Sequence, residues 1–215
     1  VTTTERNAMP LELVTLPALS DNYTYLLHDS DSGATACIDV PDAKPILDEL
    51  AKRNWTLTEI WLTHNHHDHI GGVDDLLKVC DAKVTGAKAD RHRLPPLNRE
   101  VEDGDRFEFG GEVIDVLDVS GHTIGHVAFV AAASGYAFTA DSLMALGCGR
   151  LFEGTAAQMG DSLQKLAALD PKTLICSGHE YTQANARFAI TIDPENGDLK
   201  ARIDRINSKR DSNEP

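Results

Sequence analysis

Four histidines fall within six residues, His64-Asn65-His66-His67-Asp68-His69, directly after the apolar run Glu59 to Thr63. A short apolar run of this kind reads as a buried strand, and side chains just past a strand end lie on the sheet edge, where functional groups gather. Chance would produce the pattern in roughly two of a thousand shuffles of this composition, so it calls for a chemical reason. His64 and His66 are two apart in an extended segment and project to the same side, where both can hold one ion. Asp68 and His69 follow as the chain turns and face a second position a few ångströms away. His67 points away from His66 and reads as an exposed or supporting residue. The mixture of imidazole and carboxylate suits zinc and other first-row transition ions, whereas calcium or magnesium takes mostly oxygen.

One segment holds too few donors for two ions, so the fold must bring other strand ends to it. His122 in Ser-Gly-His-Thr-Ile-Gly-His, Asp141 at the end of the run Tyr136 to Ala140, and His179 in Cys-Ser-Gly-His-Glu-Tyr all stand one to three residues past an apolar run. These three are the candidates. His126 begins a strand and reads as a core or supporting histidine, and His28 and His92 have no such context.

Leu11 to Leu16, Tyr23 to Asp29 and Ala34 to Val40 alternate like antiparallel strands. A helix bearing Ile46, Leu47, Leu50 and Ala51 on one face follows, and then the strand Glu59 to Thr63. Beyond the histidines the reading gives a helix near Gly72 to Cys80, a strand near Ala82 to Gly86 and a Pro/Arg-rich loop around Leu94 to Asn98. A second strand series comprises Arg106 to Phe109, Val113 to Val119, Val127 to Ala132 and Tyr136 to Thr139, with hairpin turns at Gly110-Gly111 and Ser134-Gly135. Helices are expected over Thr155 to Leu169, Tyr181 to Ile190 and Leu199 to Asn207, with a strand at Thr173 to Cys176. Two strand-rich halves with interspersed helices predict two sheets packed face to face and covered outside by helices.

The 215 residues suffice for one domain with a real core, and 20 Lys/Arg against 34 Asp/Glu give a net charge of −14. That balance disfavours nucleic acid and anionic lipid as partners. No apolar stretch reaches the ~18 residues that span a bilayer, and Val1 to Pro10 lacks the apolar core of a secretory signal, so a soluble cytoplasmic protein is expected. Cys37, Cys80, Cys148 and Cys176 form no CxxC pair and are expected to be free, mostly buried thiols.

The segment Thr63 to His69 resembles the metallo-β-lactamase superfamily signature. Further segments resemble glyoxalase II, the hydroxyacylglutathione hydrolases: Asp21-Asn22-Tyr23-Thr24-Tyr25-Leu26, His122-Thr123-Ile124-Gly125-His126, the run Gly147 to Gly154, and Gly178-His179-Glu180-Tyr181-Thr182 with Asn185. The resemblance implies an α/β (α+β) four-layer αββα sandwich with a short C-terminal helical extension. It divides the chain into a catalytic domain over 1–180 and a partial helical substrate-binding region over 181–215. It places one ion on His64, His66 and His122 and another on Asp68, His69 and His179, with Asp141 bridging. Zinc is expected first, with iron or manganese as alternatives. Arg150, Phe152 and Tyr181 match positions that contact glutathione, Phe152 standing where some members have tyrosine. Asn65 replaces a histidine at a position that is not a ligand. Family members usually continue into a longer helical domain with basic residues. The stretch from Thr191 onward carries 5 Lys/Arg and 6 Asp/Glu, among which Arg202, Arg205 and Lys209 are spaced to share a helical face.

The implied activity is hydrolysis of an S-2-hydroxyacylglutathione by a monomeric enzyme. Two divalent ions hold a hydroxide and receive the oxyanion, with Asp68 and Asp141 as the catalytic carboxylates. No GxSxG elbow offers a serine mechanism. A thiolate leaving group has an ordinary pKa of about 8.5 and leaves with little help from an acid. Two dications against two carboxylates and a hydroxide leave one net positive charge, so the acidic surface does not repel an anionic thioester from the site. The rivals are a mono-iron persulfide dioxygenase, a hydrolase of the same fold that ignores glutathione, and a metal-stabilised binding protein without turnover.

Overall fold

The apolar runs of the first half pair into one mixed sheet. In the computed structural model, which describes residues 10–212, β1 (Glu12–Ala18), β2 (Asn22–His28) and β3 (Ala34–Ile38) form an antiparallel meander. The chain then crosses through α1 (Ala43–Arg53) to β4 (Thr56–Leu62), parallel to β3, and β5 (Lys83–Ala87) and β6 (Arg99–Val101) continue in parallel. All but Pro10 of the segment read for a secretory signal lies outside the described residues. Asp42 caps α1 by accepting from the Lys44 amide at 2.9 Å, and Asn54 ends it in the left-handed region at φ 57°. Between β4 and β5 lie two short helices, α2 (His67–Ile70) and α3 (Val73–Leu77).

The second sheet is a meander of β7 (Arg106–Phe109), β8 (Glu112–Asp118), β9 (Val127–Ala131) and β10 (Tyr136–Ala140), to which β11 (Leu174–Ser177) adds parallel to β10. The first hairpin closes on Gly110 and Gly111, both at positive φ, as expected. The crossover to β11 runs through α4 (Ala156–Ala167), which opens on a capping box of Thr155 and Gln158.

Alternation along the strands sorts the apolar side chains into three layers of contact. Trp61, Ile38, Leu27, Phe129, Ile114 and Phe138 face one another between the sheets. Ile60, Leu62, Cys37 and Leu26 face the other way, onto Ile46 and Leu50 of α1 and Val73 and Leu76 of α3. Across the molecule Ala128 and Val119 meet Leu166 of α4. The order is helix, sheet, sheet, helix, the architecture expected from the sequence. Strands covered on both faces lose visible alternation, which is why β9 is buried at every position. Trp61 is the central plug, with its ring 5.2 Å from those of Phe107 and Phe109 and 5.5 Å from that of Phe129.

The chain continues from β11 into α5 (Thr182–Ile192) and α6 (Gly197–Asp211), which pack on each other. β6 follows the Pro/Arg-rich loop but was not expected, because three residues carry too little periodicity to read. The helix expected over Gly72 to Cys80 is only α3. All four cysteines are free; Cys37 and Cys176 are buried, Cys80 is half-buried and Cys148 is exposed, so burial holds for fewer of them than expected. No helix among the described residues is long and apolar enough to cross a membrane.

Candidate metal centre

The histidine segment is aimed by a carboxylate on the neighbouring strand. Just past β3, Asp39 sits at φ 58° and its side chain accepts from the Thr63 amide at 2.8 Å and the Thr63 hydroxyl at 2.7 Å. This pins the end of β4. His64 follows at once, and His69 returns on α2, where Val40 N–H donates to its carbonyl at 2.7 Å. The Thr63 carbonyl accepts from Val127 N–H at 2.9 Å, tying this edge to the second sheet. His122, Asp141 and His179 arrive from the turns after β8, β10 and β11.

All seven expected ligands converge. Donor atoms of His64, His66 and His122 lie within 4.8 Å of one another, and so do those of Asp68, His69 and His179. Asp141 touches both groups: its oxygens are 3.3 Å from His122 Nε2, 3.4 Å from His179 Nε2 and 3.5 Å from His69 Nε2. The remaining separations run from 3.0 Å for His66 Nδ1 to His122 Nε2, through 3.4 Å for His179 Nε2 to Asp68 Oδ2, to 3.9 Å for His69 Nε2 to Asp68 Oδ2. Donors about 2.0–2.1 Å from a tetrahedral ion stand about 3.3–3.4 Å apart, so these spacings fit. His64 Nε2, His69 Nε2 and Asp141 Oδ1 are moreover buried with no hydrogen-bond partner. Orphaned buried polar atoms are costly in a finished protein, and three at one point mark where a cation belongs.

Hydrogen bonds at the far ring nitrogens hold three of the imidazoles so that the other nitrogen faces inward. His69 Nδ1 donates to Asp39 at 2.8 Å, His179 Nδ1 to Asp21 at 2.9 Å and His122 Nδ1 to the Arg150 carbonyl at 2.7 Å. Asp39 also lies close to His64 and His69, but its oxygens are taken by Thr63 and His69, so it orients rather than ligates. Asn22 Nδ2 donates to Asp68 Oδ2 at 3.1 Å. Two glycines make room: a Cβ on Gly178 would stand 2.3 Å from Asp141 Oδ1, and one on Gly149 2.8 Å from His122 Nδ1.

Charge at the site calls for a cation too. Burial works against protonation of His179, yet Asp141, Asp68 and Asp21 around it push its pKa up to about 10. The hydrogen bond from His179 holds Asp68 well below the usual carboxylate range. Burial, reinforced by the neighbouring imidazoles, drives His64 well below the ordinary histidine value and keeps it neutral. Without a metal the carboxylates retain a proton on His179, which an ion would displace.

His67 is exposed and outside the cluster, as expected. His126 is buried and stacks on His64 with ring centres 4.6 Å apart. A cavity of about 470 Å³ opens over the centre, lined by Arg150, Phe152 and Tyr181 together with His66, Asp68, His122, Asp141 and His179. Tyr181 stacks on His179 at 4.8 Å, and Phe152 stands edge-on to His66 and His122 at 5.4 and 5.3 Å. All three residues expected to contact substrate therefore line one cavity. Arg202 and Lys209 line a neighbouring cavity of about 670 Å³, whereas Arg205 does not.

The family model of the metallo-beta-lactamase superfamily matches residues 30–179, and that of the hydroxyacylglutathione hydrolase C-terminus matches 180–215. The hydroxyacylglutathione hydrolase of Ruegeria pomeroyi is 58% identical over 207 residues, covering 96% of this chain and 81% of that protein. The chain belongs to the glyoxalase II family. A second glyoxalase II relative, from a Jannaschia species, is 59% identical over 204 residues, covering 95% of this chain and 80% of its own length. Among solved structures, the BLEG-1 B3 metallo-beta-lactamase shares the fold, with a TM-score of 0.73 at 23% identity over 79% of this chain and 92% of that one. ETHE1 from Myxococcus xanthus has a TM-score of 0.67 at 28% identity over 89% of this chain and 94% of that one. The clusters are those of the dimetal site typical of this superfamily. In this glyoxalase II chain sequence reasoning missed Asp39, Asp21 and Asn22, which hydrogen-bond the candidate ligands His69, His179 and Asp68. Asp21 and Asn22 lie in a resembling segment that has no ligand pattern, and Asp39 carries no signal of its own.

Proposed function

We propose that the chain hydrolyses S-2-hydroxyacylglutathione thioesters such as S-D-lactoylglutathione, releasing glutathione and a 2-hydroxy acid. The observation that carries this is Asp141, within 3.3 to 3.5 Å of imidazoles from both ligand groups, beneath a cavity lined by Arg150, Phe152 and Tyr181. His64, His66 and His122 would hold one divalent ion and Asp68, His69 and His179 the other, with Asp141 between them. When bound, such a pair brings water toward ionisation at neutral pH and polarises an acyl carbonyl. Zinc is our first assignment; the same donors accept iron or manganese.

The chain's own groups supply position. Asp39, Asp21 and the Arg150 carbonyl fix the ring orientations, so the donors need not reorganise during turnover. The Arg150 guanidinium offers a bidentate partner for a glutathione carboxylate, and the exposed faces of Phe152 and Tyr181 flank the thioester. We read residues 181–215 as part of the substrate-binding region and the enzyme as acting on a small molecule without a nucleic-acid or membrane partner.

Turnover of S-D-lactoylglutathione, compared with a lactoyl thioester of N-acetylcysteamine and with oxygen uptake on glutathione persulfide, tests the reading. We expect thiol release with strong preference for the glutathione ester and no oxygen consumption. Equal rates on the two thioesters would remove glutathione from the assignment, and oxygen uptake would replace hydrolysis with persulfide oxidation. Arg150→Ala should mainly raise KM for the glutathione ester.

A further inference from the structure

The cavity wall and the turn that carries His122 are joined by an ion pair that reaches across from the first sheet. The loop from Gly149 to Gly154 lies on this turn: Phe152 and Glu153 N–H donate to the His122 carbonyl at 3.1 and 3.3 Å, and Gly154 N–H donates to the Gly121 carbonyl at 3.0 Å. The Glu153 carboxylate then accepts from the Ile124 amide at 2.8 Å, closing a ring of bonds around His122. Arg93, from the β5–β6 connection, grips both Glu153 oxygens, Nη2 at 3.1 Å and Nη1 closer still. Arg93 is itself anchored, with Nε 3.1 Å and Nη2 2.5 Å from Asp90 Oδ1. Asp90 is 2% exposed and wedged against Gly125, where a Cβ would come within 2.2 Å of its carboxyl carbon.

We propose that Arg93 and Glu153 are a positioning pair, which locks the Arg150–Phe152 wall and the His122 turn into one rigid piece held against the first sheet. Neither touches a ligand atom or the cavity. Their role rests on geometry: a two-point guanidinium–carboxylate contact restricts both partners more than a single point charge does. Loosening it would free the wall and, without an ion, the His122 turn; in the loaded protein the ion would hold His122 in place, so substrate binding would weaken before the chemical step does.

The kinetic consequence rests on the thioesterase reading; the mechanical one does not. The test uses Arg93→Ala, Arg93→Lys, Glu153→Gln and the double variant Arg93→Ala/Glu153→Gln. Glu153→Gln keeps an acceptor for Ile124 while deleting the charge. In the metal-free protein, amide hydrogen exchange over 121–126 and 149–154 should accelerate at least ~tenfold in Arg93→Ala and Glu153→Gln, with β9 and α1 unchanged. In the zinc-loaded protein KM for S-D-lactoylglutathione should rise ~tenfold while kcat stays within about threefold. The double variant should be no worse than either single one, and Arg93→Lys should recover part of the loss. Unchanged exchange in both segments overturns the pair, as does faster exchange with an unchanged KM, or additive losses in the double variant. If the wild-type protein hydrolyses no thioester while exchange responds as stated, the functional reading falls and the mechanical pair stands.

Discussion

Asp39→Asn changes one oxygen to an amide nitrogen and leaves the volume almost untouched. Asp39 is 3% exposed and accepts three hydrogen bonds, from the Thr63 amide, the Thr63 hydroxyl and His69 Nδ1. An asparagine cannot reproduce that set. With its NH2 in the Oδ1 position it faces the Thr63 amide donor to donor. With its NH2 in the Oδ2 position it forces His69 to carry its proton on Nε2, the atom turned toward Asp141 and Asp68. The first choice leaves a buried donor unpaired, at a cost of about 1–3 kcal/mol; the second puts a proton on the nitrogen that the assigned ion would need. Loss of the orienting partner of a ligand histidine weakens metal binding by roughly 10–100-fold. The assay is chelator competition for zinc together with denaturant unfolding of the apo protein. The expected result is weaker retention of the ion assigned to Asp68, His69 and His179, with the midpoint shifted down and the slope unchanged. Wild-type retention of both ions and an unshifted midpoint would refute the reasoning.

Three further perturbations probe the same site. Asp141→Asn should weaken retention of both ions and lower hydrolysis by at least about 100-fold; retained loading of two ions with full turnover would remove its bridging role. Gly178→Ala would press a methyl group to 2.3 Å from Asp141 Oδ1, so metal content should fall while far-ultraviolet circular dichroism is unchanged; normal metal content would show that the turn yields. The pKa of His179 is raised to about 10 in the metal-free protein, so its contribution to apo stability is complete below its unfolded value of about 6.5 and is lost as pH rises through about 10. Thermal melts of the apo protein should therefore fall across that interval more steeply than those of an apo His179→Gln variant. Identical slopes would deny the carboxylate cage around this ring.

Much of the site could be read along the chain because its candidate ligands sit where patterns are loud. HxHxDH follows an apolar strand, and His122, Asp141 and His179 each follow another, so strand ends alone pointed to convergence. The residues that aim the ligands were silent for the opposite reason. Asp39 reaches Thr63 and His69 across 24 and 30 positions, and Asp21 reaches His179 across 158. Such partners are paired only by the tertiary fold, and an aspartate after a strand looks like a turn residue. The Arg93–Glu153 contact, 60 positions apart, was hidden likewise. The two-sheet architecture was legible from two strand series with helices between them. β6 was not, because three residues pairing with β5 after a proline-rich loop leave no period to detect.

The most direct measurement is a titration of the apo protein with zinc, following hydrolysis of S-D-lactoylglutathione and bound metal on the same samples. We expect two equivalents to bind and activity to appear with the second. Full activity at one equivalent, or two bound equivalents with no hydrolysis, would contradict a paired-ion thioesterase.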